Sequence, residues 1–277
     1  MLRLIPQSIK CAHLKPVLKK KTLPKEELNS YRPISNLSFI STILEKFVAN
    51  RLRSHIYEND LSNMSQSAYK QFHSIETALL KVHNDINRNI DNGKVTALTL
   101  LDLSSAFDTI DDNILITRLS TWYGISGTAL SWFTSYLTDR QQAIKIGHCI
   151  SDMLAPSCGV PRGSVLGPLL FTLHTTPLSS VIQGHTLDHH LYADDIQIDI
   201  SLTTPDTCHS VNQLRDCLKD ESLWAKHCKL KLNANKTEFL IIGTTTQRAK
   251  FVGFSPDTYP ESKCNTSPMV LNLGSYF

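Results

Sequence analysis

Two aspartates, Asp194 and Asp195, stand side by side in "HLYADDIQIDI", a stretch that otherwise alternates apolar and polar residues as a β-hairpin does. Asp is depleted in strands, and adjacent carboxylates repel unless a cation stands between them. The pair therefore reads in one of two ways, as a solvated turn or as a holder of metal ions. Everything else in the chain bears on which.

The totals allow one large domain or two ordinary ones, since 277 residues are present with 41% hydrophobic and 19% charged composition. That composition is expected of a soluble globular protein, and no run reaches the ~18 uninterrupted apolar residues of a membrane span. The opening "MLRLIPQSIK" offers no small-residue cleavage site, so no leader peptide is expected. Seven cysteines (Cys11, Cys149, Cys158, Cys208, Cys217, Cys228, Cys264) make an odd set with no C-x-x-C pair, which reads as reduced thiols and an intracellular home. No cysteine stands at ligand spacing from His185, His189 or His190, so these read as ordinary surface histidines.

Net charge is +3, unevenly spread: residues 1–60 carry eleven Lys/Arg against five acids, a balance of +6 that leaves −3 for the rest. A basic front on a mildly acidic body suits a phosphate-rich partner, and equally a solvated lysine-rich loop.

Residues 1–35 read as loop, broken by Pro6, Pro16, Pro24 and Pro33. A helix is expected from about Thr42, with a Thr42/Glu45 capping box and Ile43, Leu44, Phe47, Val48, Leu52 and Ile56 on one face. A second helix starts near Ser74, repeats Ile75, Leu79, Val82, Ile86 and Ile90, and stops at Asn92–Gly93. "KVTALTLLDL" reads as a buried strand running into Asp102. Helices follow around 114–122 and 128–137, then a strand at "QQAIKIG" and a Gly/Pro turn feeding an apolar helix in "CGVPRGSVLGPLLFTL". After the Asp-Asp stretch, "VNQLRDCLKDESLWAKHC" reads as a helix with Val211, Leu214, Leu218 and Trp224 inward. "LKLNANKTEFLII" reads as a hairpin turning at 233–235, and the tail from about Thr244 as loose. Interleaved strands and helices without strict βαβ order indicate an α+β domain with helices packed on one sheet face.

Asp102 ends a strand whose neighbours should bury it, so its carboxylate needs an ion or a cavity. Were the 194–195 apex beside it, three carboxylates would meet and could hold two divalent ions roughly 3.5–4 Å apart, an arrangement suited to in-line displacement at phosphorus. Hard oxygen donors and phosphate substrates select Mg²⁺. Asp108, Asp111 and Asp112 read instead as helix-start caps.

The stretches "YRPISNLSFISTILEKFVANRL", "QSAYKQFHSIETALLKVHNDI", "LLDLSSAFDTIDDNIL", "WFTSYLTDRQQAIKIG", "GVPRGSVLGPLLF", "LYADD" and "LKLNANKTEFL" stand in one order and spacing. On these the chain resembles the reverse transcriptase domain of LINE-type (non-LTR) retrotransposons across nearly its whole length. The resemblance implies an α+β right-hand polymerase: fingers at 1–95, a palm with an antiparallel sheet at 96–243, and a loose tail or thumb remnant at 244–277, the thumb largely missing. It implies metal-binding roles for Asp102, Asp194 and Asp195, with Asp194 the surer ligand of the adjacent pair. Lys236 is implied as the palm lysine at the departing pyrophosphate, and Arg32 as the fingers arginine on the incoming triphosphate, with Lys15 as a possible helper. Phe107 matches the aromatic that rejects a 2′-OH; from its position alone it reads instead as an ordinary core aromatic at the start of a helix.

Gly163 and Ser164 match the turn beside the templating base. Arg162 replaces the family's usual Gln there, bringing a fixed charge and a longer reach. The implied activity is RNA-directed DNA synthesis with two Mg²⁺ ions (Mn²⁺ as substitute) on an RNA template, a DNA primer and deoxynucleoside triphosphates, with no membrane role and an open oligomeric state. The implied setting is the nucleus or a cytoplasmic ribonucleoprotein. Relatives carry an endonuclease before the polymerase and a thumb after it, so a truncated copy of an element is expected. A catalytically silent nucleic-acid-binding remnant is the alternative. A two-metal nuclease is disfavoured, because it has no use for a 2′-reading aromatic or a triphosphate-gripping arginine.

Overall fold

The computed structural model describes residues 4–104, 106–203, 206–233 and 236–251, together with the short strand pieces 265–266, 271–272 and 275–276. In chain order the elements are α1 (Gln7–Lys10), β1 (Cys11–Leu18), β2 (Tyr31–Asn36), α2 (Phe39–Glu58), α3 (Ile75–Asp91), β3 (Val95–Ser104), α4 (Asp112–Thr121) and α5 (Gly127–Leu137). They continue with β4 (Gln141–Ile146), β5 (Cys149–Ile150), α6 (Leu166–Thr175), α7 (Pro177–Gly184), β6 (Asp188–Tyr192), β7 (Asp195–Leu202), α8 (Thr207–His227), β8 (Lys231–Leu232), β9 (Glu238–Ile242), α9 (Thr245–Arg248) and β10 (Asn265–Thr266). Two compact units result, 1–62 with 107–174 and 63–106 with 175–277. Each takes two segments of the chain.

The first unit is built on a sheet of order β2-β1-β4-β5. The expectation of loop over 1–35 is corrected here, because β1 and β2 pair antiparallel across it. Pro16 faces Pro33 in the register. The ladder survives two prolines because neither missing N–H points into it, the arrangement sheets tolerate. Helix α2 begins at Phe39, earlier than expected, with Ser38 as its cap accepting from the Ser41 amide. Val48, Leu52 and Ile56 are buried as the periodicity requires, but Ile43 and Phe47 are half exposed.

Glu45 is no capping-box partner. It is 1% exposed, and its carboxylate accepts from the Tyr136 hydroxyl (3.0 Å) and from the amides of Val165 (2.7 Å) and Leu166 (3.3 Å). A carboxylate on the first amides of α6 satisfies donors the helix cannot and meets the positive end of its dipole.

The second unit is built on a sheet running β10-β9-β3-β7-β6, with β8 also on β3. All of β3 from Val95 to Leu101 is buried, so both of its faces are covered. On one face Val82 and Ile86 of α3 pack with Leu98, Leu100 and Leu240. The opposite face, with Ala97, Thr99, Leu101, Ile196, Ile198 and Phe239, is buried as well. Cover on both faces refines the single covered face expected from sequence. Helix α3 starts at Ser74, which forms a capping box with Thr77, and ends at Asn92 before Gly93, as the sequence indicated.

The expected hairpin at 231–242 is also corrected. β8 and β9 do not pair with each other: both lie antiparallel along one edge of β3, β8 at Leu103–Ser104 and β9 at Thr96–Leu100. The break between them falls opposite Leu101 and Asp102, with Asn233 and Lys236 beside it. Of the expected turn, 234–235 lies outside the described residues, as do Cys264 and most of the tail; Thr245–Arg248 is helical. The six described cysteines are free thiols. Among the described residues no helix is long and apolar enough to cross a membrane.

Glu221 on α8 is fully buried, and neither oxygen has a hydrogen-bond partner. Burial pushes its carboxyl up to about 8. The folded state thus prefers the protonated acid: the stability this gives is complete below the unfolded value near 4.5 and is lost as pH rises through about 8. Glu221→Gln should therefore match the wild type near pH 4 and exceed it at pH 9 by up to roughly 4 kcal/mol, read from urea midpoints.

Candidate active site

The second unit gathers the acidic residues that sequence singled out. In the β3–β7 register Asp102 is the direct cross-strand partner of Asp195, and Asp195 closes the two-residue turn Ala193–Asp194 against Tyr192. The carbonyl of Asp102 accepts from the Asn233 amide at 2.8 Å, so it faces away from β7. Asp102 and Asp195 are then a non-hydrogen-bonded pair, the kind in which Cβ atoms stand roughly 4.5–5.5 Å apart. Like charges at that spacing repel. Burial first, then Asp194 and Asp102, push Asp195 up to about 6, while Lys236 pulls it down.

Lys236 is the resident counter-charge. Its Nζ donates to both oxygens of Asp102 at 3.1 Å, and the Asn233 side chain donates to Oδ2 at 3.2 Å. The break between β8 and β9 leaves both residues there, in the way strand irregularities re-aim side chains next to sites. Asn233 escaped the sequence reading because it looked like hairpin-turn chemistry.

Three carboxylates form an oxygen-only donor set, which fits a hard divalent cation. The excess negative charge that raises Asp195 also calls for a cation beyond Lys236. As the side chains stand, no three His, Cys, Asp or Glu groups among the described residues close at metal-holding spacing. Both oxygens of Asp102 are on Lys236 instead.

The first unit holds the remaining sequence-derived residues. Phe107 is half-buried and stacks on Phe171, with ring centroids 4.7 Å apart. The Arg162 guanidinium lies 5.8 Å from the Phe107 centroid and donates to Asp108 at 3.1 Å. Asp108 is raised by burial and lowered by Arg162, so it is an ion-pair partner and not the helix cap expected from sequence. Asp111 does cap α4, accepting from the Ile114 amide. A cavity of about 320 Å³ beside this turn is lined by Ser35, Asp108, Arg140 and Arg162, among others.

Gly163 sits at φ +100° with backbone of β2 close by: the Arg162 carbonyl accepts from the Ser35 amide at 2.7 Å. A Cβ on Gly163 would meet Ile34 Cγ2 at 3.2 Å and the Ser35 carbonyl oxygen at 3.3 Å. Arg32 is exposed on β2, on the strand face it shares with Lys15 and Ile34.

The model of the family described as reverse transcriptase (RNA-dependent DNA polymerase) matches residues 18–255. The chain is 30% identical over 225 residues to a probable RNA-directed DNA polymerase from transposon BS of Drosophila melanogaster, covering 77% of this chain and 24% of that protein. It is 25% identical over 217 residues to the RNA-directed DNA polymerase from mobile element jockey of Drosophila funebris, covering 76% and 23%. The chain thus spans about a quarter of the curated relatives it matches. Among solved structures, apo telomerase from Candida tropicalis truncated from its C-terminal domain aligns with a TM-score of 0.62 at 13% identity, over 87% of this chain and 52% of that one. That likeness shows the fold: the fingers and palm of a right-hand polymerase.

Gly163→Ala forces a side chain into φ +100° against β2, a conformation that costs about 1–3 kcal/mol away from glycine. The variant should lose stability by that amount in urea denaturation, and an unchanged midpoint would show that the turn tolerates a Cβ.

Proposed function

The chain belongs to the reverse transcriptase (RNA-dependent DNA polymerase) family, with relatives among non-LTR retrotransposon polymerases, and from that premise we propose that it carries out RNA-directed DNA synthesis. The observation that supports this best is the cross-strand pairing of Asp102 with Asp195, with Asp194 adjacent and Lys236 on Asp102. Crowding of this kind is costly in a folded chain unless the charge is used.

In this reading Asp102, Asp194 and Asp195 hold two Mg²⁺ ions, with Mn²⁺ as a substitute. When bound, the ions supply charge neutralisation at the phosphorus under attack by the primer 3′-OH. Lys236 has a mobile, solvent-facing ammonium (63% exposed) that can leave Asp102 to neutralise or protonate the departing pyrophosphate. Arg32 grips the triphosphate of the incoming deoxynucleotide through its forked donors, helped by Lys15 on the same strand face. Phe107, held flat against Phe171, excludes a ribose 2′-OH by its bulk. Gly163 lets backbone approach the nucleotide and template closely, and Arg162 adds a charge already shared with Asp108. An RNA template and DNA primer are the partners, gripped through phosphates by the basic front of the chain, in the nucleus or in a cytoplasmic ribonucleoprotein.

One observation favours a second reading, a silent nucleic-acid-binding remnant: Lys236 takes both Asp102 oxygens, and among the described residues no three ligands close. Primer extension on an RNA template separates the two. The wild type should extend with Mg²⁺ or Mn²⁺, and Asp194→Ala should lose at least about 10³-fold, as loss of a transition-state charge holder does. RNA binding without any extension would establish the remnant, and full activity in Asp194→Ala would remove the metal assignment.

Phe107→Val should admit ribonucleotides. Unchanged discrimination in the same assay would return Phe107 to the core.

A further inference from the structure

The turn that presents Asp194 is held in an unfavourable backbone conformation. Ala193 has φ +56°, in the left-handed region, which costs a residue with a Cβ roughly 1–2 kcal/mol. Such conformations persist only where their surroundings over-determine them. The neighbour that does so comes from far along the chain: Gln66 Oε1 accepts from the Ala193 amide at 3.1 Å across 127 residues. We infer that Gln66 is a positioning residue, whose carboxamide sets the Ala193 backbone and thereby the aim of Asp194 and Asp195.

The clamp is itself well anchored. Gln66 is 5% exposed, and the same Oε1 accepts from the Ala68 amide at 2.8 Å, so the oxygen is pinned from two directions. Its segment meets β6 in a single parallel bridge: the Leu191 amide donates to the Ser65 carbonyl at 2.8 Å, and the Ser67 amide donates to the Leu191 carbonyl at 3.0 Å. Behind it, Asn63 accepts from the Ser65 amide and donates to Ser179 Oγ on α7, at 2.9 and 2.8 Å. The turn is thus braced from the chain just before α3 as well as from its own strands.

The other end of the carboxamide argues against a purely structural role. Gln66 Nε2 is buried with no hydrogen-bond partner, a cost that a leucine of similar size would avoid. The acceptor oxygen is the half of the side chain in use, and the Ala193 amide is its long-range donor. Carboxylates that must hold ions and aim them at a phosphorus lose rate steeply when displaced, up to about 100-fold for 1 Å.

This inference rests on the polymerase reading for its catalytic consequence but not for its geometry, and its test keeps the two apart. In the full chain, amide hydrogen exchange at Ala193 should speed up tenfold or more in Gln66→Leu, and should stay slow in Gln66→Glu, which keeps the acceptor. Mn²⁺ binding followed by electron paramagnetic resonance should weaken about tenfold in Gln66→Leu and less in Gln66→Glu. In primer extension, kcat should fall between about tenfold and 100-fold while KM for the deoxynucleotide stays within about twofold. Should Gln66→Leu fail to fold, Gln66→Met removes the same acceptor with a more adaptable chain. Unchanged exchange at Ala193, or a folded Gln66→Leu with wild-type kcat and Mn²⁺ affinity, would overturn the inference. A wild type that extends no primer defeats the polymerase reading, and the exchange and Mn²⁺ measurements still decide the clamp.

Discussion

The repulsion between Asp102 and Asp195 is the constraint around which the second unit is arranged. They face each other on the two central strands, with Asp194 one residue away, and burial first, then Asp194 and Asp102, raise Asp195 to about 6. A sheet whose strands are covered on both faces cannot dilute that charge with water. It brings in a lysine instead. The price is a broken edge: β8 and β9 do not join into one strand along β3, and from the break Asn233 keeps an amide on the Asp102 carbonyl while its side chain and Lys236 reach the carboxylate.

Three other acids, two of them buried and one half-buried, show how differently one chain disposes of the same charge. Glu45 is satisfied by donors, with two helix amides and a tyrosine hydroxyl on its oxygens. Asp108 is satisfied by charge, through Arg162. Glu221 is not satisfied and resolves the conflict by holding its proton to about pH 8. Asp195 follows none of these fully. A carboxylate left with partial compensation is one whose remaining demand a cation or a substrate can meet, and this sets it apart from acids that merely hold the fold.

Much of this was legible in the sequence, for reasons that differ by element. The ends of α3 could be read because Ser74, Asn92 and Gly93 act locally, through caps and a positive φ. The burial of β3 could be read from an unbroken apolar run. What failed were features fixed by distant partners. Pro16 and Pro33 argued for loop until the register placed them opposite each other, where neither ladder needs their N–H. Glu45 looked like part of a capping box three residues from Thr42, and its partners lie 91 to 121 residues away. The stretch 231–242 looked like a hairpin because both halves alternate, and nothing in that alternation says that both will pair with a third strand. Of the site, the carboxylates and Lys236 were visible by resemblance. Asn233 and Gln66 were not, since an amide side chain carries no signal of the backbone it will hold.

Arg162 shows how a departure from a family pattern can be absorbed without leaving the site. An arginine where the family's usual turn has a glutamine adds a positive charge beside the positive-φ glycine that lets β2 approach. That charge is taken up on two sides, by the Asp108 carboxylate at 3.1 Å and by the face of Phe107 at 5.8 Å. The pairing draws Asp108 out of the capping role its sequence position suggested, and it ties Phe107 to the glycine turn. A residue that would read the sugar and a residue that would meet the template are thereby linked through one guanidinium, so a change at either should be felt at the other.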